Sequence, residues 1–187
     1  MISGWIAGTI SVIVGFEYMT GILAFYISSS YMTKVGAEKK RKQEEDYKVG
    51  GERNVFQVLA TCGVGTIVAL IILISRSADN KALYILRLCY VCHYCVVNGD
   101  TWASELGSIY GGIPRLVTTM KKVPPGTNGG VTLFGLFVSF VGGSFVTIWF
   151  HLITSLINSF PTFSSCFEAA IIGGIFGFLG SFVILSY

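Results

Sequence analysis

The stretch NGDTWASELG, from Asn98 to Gly107, places two carboxylates, Asp100 and Glu105, at the end of an apolar run. A carboxylate in such a place is costly unless water, a cation or a hydrogen-bond donor meets it. Magnesium takes one or two carboxylates and completes its shell with waters and substrate phosphates, so both acids are candidate magnesium ligands. The alternative is structural, with Asp100 as the cap of a helix that begins after a break at Asn98-Gly99. In a continuous helix the two acids would point about 140° apart and face different partners.

A second stretch, KKVPPGTNGGVT from Lys121 to Thr132, has the composition of an anion-binding loop. Its prolines prevent a helix before Gly126, and its glycines permit positive φ and leave backbone N–H groups unobstructed. Such a turn, leading into a helix capped by Thr127 or Asn128, presents N–H donors and the positive end of the helix dipole to a phosphate. No Lys-Ser/Thr pair follows the glycines, so this is not a Walker A loop. The alternative is a tight connection into a membrane helix.

The two stretches, with Arg115 between them, are predicted to lie in one cytosolic loop and to form one pocket. Carboxylates, a glycine turn and cations together fit magnesium-assisted phosphate chemistry at a membrane surface. The predicted catalytic residues are Asp100, Glu105 and Lys121, with Asp100 and Glu105 also as the ligands of Mg²⁺. The predicted phosphate-binding residues are Arg115, Lys122, Gly126, Thr127, Asn128, Gly129 and Gly130.

The elements that must position these residues are membrane helices. Of the 187 residues, 52% are hydrophobic and 12% are charged, which is about half the charged share of soluble domains. The apolar residues cluster in runs, and a run of about 20 residues crosses ~30 Å of hydrocarbon. Spans are predicted near residues 2–28, 55–75, 82–98, 130–157 and 166–186. The predicted fold is therefore all-α, a single integral membrane domain over residues 1–187 that forms a polytopic helix bundle of about five spans, with a range of about four to six.

The distribution of Lys and Arg predicts the orientation. The connections at about 29–54 and 99–129 hold ten of these residues, and the opposite side holds two. The positive-inside rule therefore predicts that both connections are cytosolic loops. The expected location is an internal membrane of the endoplasmic-reticulum type. The first loop has a basic block and then an acidic one, and it reads either as a solvated helical hairpin or as a contact with anionic lipid or nucleotide phosphates. In its charged stretch GAEKKRKQEEDYKVGGERN, Tyr47 is the one aromatic side chain, so nucleic acid is not expected as a partner.

Three further charges lie in or beside the apolar runs. Arg87 is predicted to pair with Glu17 or with Glu168 inside the bundle, because an unpaired charge in hydrocarbon is costly. The stretch Gly15-Phe-Glu17 interrupts the first run, which leaves open two short segments or a re-entrant pair.

The stretch Cys89-Tyr-Val-Cys92-His93 matches a haem-attachment pattern. It lies inside an apolar run, where buried cysteine behaves as a small hydrophobic side chain, so packing is predicted for it.

Three segments carry a family resemblance: NGDTWASELG, PRLVTTMKKVPPGTNGG and the upstream SSSYMTKVGAEKKRKQEEDYKVGGERNVFQVL. They resemble the transmembrane protein 19 family of uncharacterised membrane proteins, which includes the plant phytyl-phosphate kinase of the vitamin E pathway. The resemblance extends from about Ser3 to Phe182 and implies a polytopic protein in contact with membrane lipids. By analogy with the plant member, it implies phosphoryl transfer from a nucleoside triphosphate to an isoprenoid monophosphate. The positions that match the family motifs are Asp100, Thr101, Glu105, Arg115, Lys121, Gly126, Thr127, Asn128, Gly129 and Gly130.

The two ends depart from the family pattern. Members usually begin with a further apolar segment, and they continue after GFLGSFV with an Asp-Ser-x-x-Gly-Ala type of motif. Here the sequence starts at Met1-Ile-Ser-Gly-Trp5 and ends with Ile-Leu-Ser-Tyr187, so truncation at both ends is expected. Two alternatives to an isoprenyl-phosphate kinase therefore stay open. One is a non-enzymatic membrane carrier or a scaffold that binds an anionic lipid, and the other is an inactive truncated fragment.

Overall fold

The computed structural model describes residues 2–35, 55–75, 79–124, 127, 129–157 and 162–184. In this part of the chain there are six helices and one pair of two-residue strands. The elements are α1 (Ile2–Val14), α2 (Phe16–Lys34), α3 (Val55–Ile74), α4 (Asn80–Tyr110), β1 (Arg115–Leu116), β2 (Gly130–Val131), α5 (Leu133–Leu156) and α6 (Cys166–Ile184).

The predicted all-α membrane fold is confirmed. Among the described residues, three helices are long and apolar enough to cross a membrane, namely α4, α5 and the Cys166–Val183 part of α6. Two shorter apolar helices, Gly4–Val14 and Thr61–Ile74, lie in α1 and α3. Gly15 separates α1 from α2 with an extended backbone, so the first apolar run is two helices.

α4 is continuous from Asn80 to Tyr110, so the predicted break at Asn98-Gly99 is wrong. Residues 99–110, which were assigned to a loop, are helical, as are residues 29–34 at the end of α2. The physical reason lies in the packing, since a Cβ on Gly99 would lie 2.7 Å from the carbonyl oxygen of Ser139 and 2.9 Å from the Cα of Gly177. Gly99 therefore permits close helix contact instead of forming a turn.

α2 and α4 run in the same direction, and aromatic and polar side chains hold them together. The rings of Tyr18 and Tyr90 meet edge to face with centroids 4.9 Å apart, and the Tyr90 hydroxyl donates to the carbonyl oxygen of Tyr18 at 2.7 Å. Farther along both helices, Ser28 donates to Asn98 at 2.9 Å. Tyr18 and Tyr90 belong to a buried core that also receives side chains from α3, α5 and α6.

α5 runs antiparallel to α4. The ring of Phe150 lies 6.4 Å from that of Tyr90, and a Cβ on Gly107 would lie 3.2 Å from the Cα of Gly135 near the other end of the helix pair. The end of α2, the end of α4 and the start of α5 therefore lie at one end of the bundle, which we term the loop end. α6 starts at the opposite end and returns toward the loop end.

An ion pair connects α2 and α4 at the end opposite the loop end. Arg87 Nη2 lies 3.6 Å from Glu17 Oε1, and both side chains are largely buried. The predicted pairing of Arg87 with Glu17 is confirmed. Glu168 instead accepts hydrogen bonds from the backbone N–H and the hydroxyl of Ser164 at the start of α6. The pair lets two charges stay within apolar helices, where each charge alone would be costly.

α5 and α6 approach each other at glycines. A Cβ on Gly143 would overlap the carbonyl oxygen of Gly173, and it would lie 3.0 Å from the Cα of Gly177. Beside this contact, the Ser144 hydroxyl donates to the carbonyl oxygen of Ala170 at 2.7 Å. In lipid, such close backbone packing and interhelical hydrogen bonds replace the hydrophobic effect as the force that joins helices.

We expect Gly143→Ala to lower the free energy of unfolding by about 1–3 kcal/mol, because the added methyl group meets backbone atoms that cannot move aside. Gly63→Ala is the matched control, since nothing lies within 4 Å of a Cβ at that position in α3. The control should be neutral or stabilising by up to about 1 kcal/mol through helix propensity. Thermal unfolding of the detergent-solubilised protein measures both. Equal stability of the two variants would show that α5 and α6 do not touch at Gly143.

The two ends of the bundle should lie on opposite sides of the membrane. Cys166 is exposed at the start of α6, and Thr119 is exposed beyond the loop end. In sealed microsomes, whose cytosolic face is outside, a membrane-impermeant maleimide should label Thr119→Cys at once and Cys166 only after permeabilisation. Cys166→Ala identifies which adduct is which. If Cys166 reacted in sealed microsomes and Thr119→Cys did not, the orientation in the membrane would be the opposite of the predicted one.

Candidate functional site

A buried polar layer crosses the bundle at Asn98. This side chain has no exposed area. Its Oδ1 accepts hydrogen bonds from the hydroxyls of Ser28 at 2.9 Å and Ser29 at 3.0 Å, and its Nδ2 donates to the carbonyl oxygen of Gly142 at 2.8 Å. The amide therefore joins α2, α4 and α5 and satisfies polar groups that have no water to bind in hydrocarbon.

Asp100 lies within a membrane helix and not in a loop. Its neighbour Gly99 packs against Ser139 and Gly142 of α5, and a Cβ on Gly142 would lie 3.2 Å from the Cα of Gly99. This level lies about 9–14 Å inside α5 from its first residue, at 1.5 Å per residue. On α4, the helix end at Tyr110 is about 15 Å farther along the axis than Asp100. Asp100 thus lies at the level of the apolar interior of α5, and the connection between α4 and α5 begins well beyond it.

The two candidate metal ligands face different directions. Asp100 is half-buried, and the hydroxyl of the fully buried Ser181 on α6 donates to its Oδ1 at 3.4 Å. A distance of 3.4 Å makes this a weak hydrogen bond. Because α4 is continuous, Glu105, which is also half-buried, points about 140° away from Asp100. The sequence left two alternatives open, a helix that begins after Asp100 and a continuous helix whose two acids face different partners. The structure shows the continuous helix.

A shared magnesium ion does not fit this geometry, because the two carboxylates do not converge. Within the described residues, no group of three or more His, Cys, Asp or Glu side chains is placed to hold a metal ion. Each carboxylate on its own still has the ligand type that magnesium takes when phosphates and waters supply the rest of its shell. The metal-binding roles of Asp100 and Glu105 remain predictions.

The glycine loop does not lead directly into the helix that follows it. Thr132 caps α5, since its Oγ1 accepts the N–H of Gly135 at 3.0 Å, so the predicted cap at Thr127 or Asn128 is wrong. The Thr127 hydroxyl instead donates to the carbonyl oxygen of Pro124 at 2.8 Å. Val131 of β2 and Thr132 separate the last glycine, Gly130, from the first turn of α5.

Two backbone N–H groups that are predicted to bind phosphate donate hydrogen bonds to other atoms of the loop. The N–H of Thr127 donates to the carbonyl oxygen of Pro124 at 3.3 Å, and the N–H of Gly130 donates to the carbonyl oxygen of Thr127 at 3.0 Å. Gly129 has the positive φ, 78°, that glycine permits. Gly126 and Asn128 lie outside the described residues. The phosphate-binding role of this turn stays a prediction.

The structure does bring the three cations together. β1 pairs with β2 in register, and Arg115 also forms a bridge with Lys122 on its other side. The N–H of Leu116 donates to the carbonyl oxygen of Lys121 at 2.9 Å. Arg115, Lys121 and Lys122 are all exposed, so a cationic cluster lies beyond the loop end. It is at a different level from Asp100, so the prediction that the acidic stretch and this loop form one pocket is wrong.

Sequence reasoning missed the residues that place Asp100. Asn98, Ser28, Ser29 and Ser181 form the hydrogen bonds at its level, and all but Ser28 are fully buried. The signal was present, because a small polar side chain within an apolar span commonly bonds across to another helix. Local preference instead favours a turn at the Asn98-Gly99 pair, which hides this signal.

Comparison with known proteins places the chain in a family. The profile of the family described as "Integral membrane protein DUF92" matches residues 1–183. The chain belongs to this family. The family resemblance inferred from its motifs is confirmed, and the protein is an integral, multi-pass membrane protein. No solved structure matches it.

Curated relatives of this DUF92 member include proteins of a plant, an archaeon and a cyanobacterium. Protein PGR of Arabidopsis thaliana is 39% identical over 157 residues, which cover 80% of this chain and 54% of the relative. An uncharacterised membrane protein of Methanocaldococcus jannaschii is 31% identical over 139 residues, 74% of this chain and 54% of the relative. Protein VTE6, chloroplastic, of Arabidopsis thaliana is 32% identical over 123 residues, 64% of this chain and 37% of the relative. The chain spans about half the length of the first two relatives.

Asn98→Ala should destabilise the helix bundle. It removes three interhelical hydrogen bonds, each worth about 0.6 kcal/mol in a membrane protein, so we expect a loss of about 2 kcal/mol. Ser28→Ala and Ser29→Ala each remove one of these bonds and should cost about a third as much. Thermal unfolding in detergent is the measurement, with Ser104→Ala as the control, because the exposed Ser104 hydroxyl bonds only within its own helix. A loss for Asn98→Ala no larger than that for Ser104→Ala would contradict the interhelical role.

Proposed function

We propose that this protein transfers a phosphoryl group from a nucleoside triphosphate to an isoprenoid monophosphate of the phytyl type. The observation that carries the proposal is Asp100, a half-buried carboxylate at the level of the apolar interior of α5 whose described hydrogen bond, to Ser181, is 3.4 Å long. An ionisable side chain inside a membrane protein is a functional site by default, since its burial is costly. Family membership supports the reaction class, because Asp100 lies in one of the motifs through which this chain resembles the family of the plant phytyl-phosphate kinase.

The arrangement of charges suits an amphiphilic substrate. An isoprenoid phosphate keeps its tail among the apolar helices and its headgroup near the loop end. There the cluster of Arg115, Lys121 and Lys122 attracts phosphate groups and neutralises the charge that develops on transfer. The N–H groups of Thr127 and Gly130 are bonded within the loop. The main contacts with phosphate are therefore made by these cations.

The reaction needs no strong general base. An oxygen of the isoprenoid monophosphate attacks the γ-phosphorus, the bond from that phosphorus to the β,γ-bridging oxygen breaks, and a nucleoside diphosphate leaves. The attacking phosphate is already ionised at neutral pH. Magnesium belongs to this reaction as the counter-ion of the nucleotide substrate, and Asp100 or Glu105 would each supply a single carboxylate to it. With the loop end in the cytosol of an internal membrane, nucleoside triphosphates reach the cluster from the aqueous side.

The test is a phosphoryl-transfer assay on the full-length protein extracted from membranes. With a labelled nucleoside triphosphate, Mg²⁺ and a short isoprenyl monophosphate, we expect a labelled isoprenyl diphosphate. Asp100→Asn should lower the rate by roughly 100-fold or more, the usual effect of removing one electrostatic group from an active site. Ser104→Ala, one helical turn from Asp100, should keep the parent rate. No diphosphate from the parent, or an unchanged rate in Asp100→Asn, would overturn the kinase proposal.

One observation favours a second candidate function, a non-enzymatic carrier or scaffold for an anionic lipid. Asp100 and Glu105 do not converge, whereas Arg115, Lys121 and Lys122 do cluster, and binding an anionic headgroup needs only the cations. In that case the purified protein binds isoprenyl monophosphate without forming diphosphate. Asp100→Asn would then leave binding nearly unchanged, and Lys121→Gln would weaken it.

A further inference from the structure

The connection between α4 and α5 is uniformly basic. From Gly111 to Thr132 it contains Arg115, Lys121 and Lys122 and no acidic residue. These three side chains are exposed. With no carboxylate in the connection itself, their charges are available to an external anion.

Exposed apolar side chains lie among these cations. In the segment that enters β1, Ile113 and Arg115 are exposed and Pro114 between them is buried. Lys122 is the bridge partner of Arg115, so these two cations lie side by side on one face. Ile113 is 64% exposed and Met120 is 62% exposed, values that a water-facing turn would usually give to polar side chains.

The backbone holds Met120 in place at the tip of the turn. Its φ is 55°, a conformation that residues other than glycine rarely adopt. Its N–H donates to the carbonyl oxygen of Leu116 at 2.8 Å, and its own carbonyl oxygen accepts Arg115 Nη1 at 3.1 Å. A large apolar side chain is thereby presented outward, next to a guanidinium group.

We infer that Ile113, Arg115, Met120 and Lys122, here named the basic face, bind the anionic phospholipid headgroups of the leaflet in which α4 and α5 end. The basic face starts three residues after the end of α4. It is therefore within about one Debye length of the membrane surface, where Lys and Arg are attracted to anionic lipid. Ile113 and Met120 enter the boundary between headgroups and acyl chains, as apolar side chains of interfacial segments do.

Charge and position together identify this partner. The face carries only positive charge, which complements phosphate groups, and it is covalently continuous with two helices that are already in the bilayer. The paired strands and the closed turn make it a preformed surface. Binding orders few additional groups, which favours association.

The experiment is site-specific photo-crosslinking of the full-length protein in vesicles of equimolar phosphatidylglycerol and phosphatidylcholine. Benzoylphenylalanine replaces Ile113, Met120 or, as the matched control, Thr119, which is exposed and polar and adjoins Met120. We expect lipid adducts at positions 113 and 120 to exceed those at position 119 several-fold. Phosphatidylglycerol should be enriched in these adducts. In the Lys122→Gln background, this enrichment should fall by about fivefold, from the usual contribution of one cation near a charged surface.

Two results would overturn the inference. One is adduct formation at position 119 equal to that at positions 113 and 120. The other is an adduct composition in the parent equal to that of the vesicles. Both exposed positions tolerate a large side chain, and a monodisperse elution profile of each variant shows that it is folded. The readout involves no nucleotide, so failure of the kinase assay leaves it unaffected, and its own failure leaves the kinase proposal standing.

Discussion

The close approach of α4, α5 and α6 at their glycines is the constraint on which the rest of the structure depends. In lipid, apolar side chains gain little by leaving the hydrocarbon for one another, so helices associate through close packing and interhelical hydrogen bonds. Gly99 of α4 lies where a Cβ would meet both Ser139 of α5 and Gly177 of α6. A side chain at this point would push three helices apart at once. It would also lengthen the hydrogen bonds of Asn98 and Asp100, which flank it in the sequence.

The glycine contact and the polar layer therefore support each other. Asn98 donates to the carbonyl oxygen of Gly142, an atom that a side chain reaches only because the helix backbones are close. The same contact brings Ser181 of α6 to Asp100. At the opposite end, the Glu17–Arg87 pair fixes α2 against α4 by a different means. Polar contacts thus hold the bundle at the level of Asn98 and at that of Arg87, and the aromatic core that contains Tyr18 and Tyr90 lies between these two levels.

Sequence alone predicted the helices well and the level of the candidate site badly. Apolar runs predict spans because every backbone group in hydrocarbon must be bonded within a helix. The partner of Arg87 was also predictable, since a lone charge there is costly. The helical character of residues 99–110 was not predictable from local preference, because Asn-Gly is a common turn pair. In this chain a tertiary contact decides the conformation, and no local pattern identifies which helix will need a glycine. The cap of α5 was misplaced for a related reason, since the pairing of β1 with β2 uses residues that would otherwise start the helix.

The separation in depth between cations and carboxylates has its own electrostatic consequence. Going inward from the loop end, a headgroup meets first the exposed cluster that contains Arg115 and Lys122, then Glu105 about 8 Å below the end of α4, and then Asp100 about 15 Å below it. A bare phosphate is attracted by the first layer and repelled by the other two, so it stops at the level of the cations. A phosphate that carries magnesium presents a cation to the carboxylates and is not repelled in the same way. In the low-dielectric interior, the difference in electrostatic energy between a bare phosphate and one that carries magnesium is larger than it would be in water. The carboxylates therefore act against a bare phosphate and tolerate one that carries magnesium, which is the form in which a nucleoside triphosphate enters the proposed reaction.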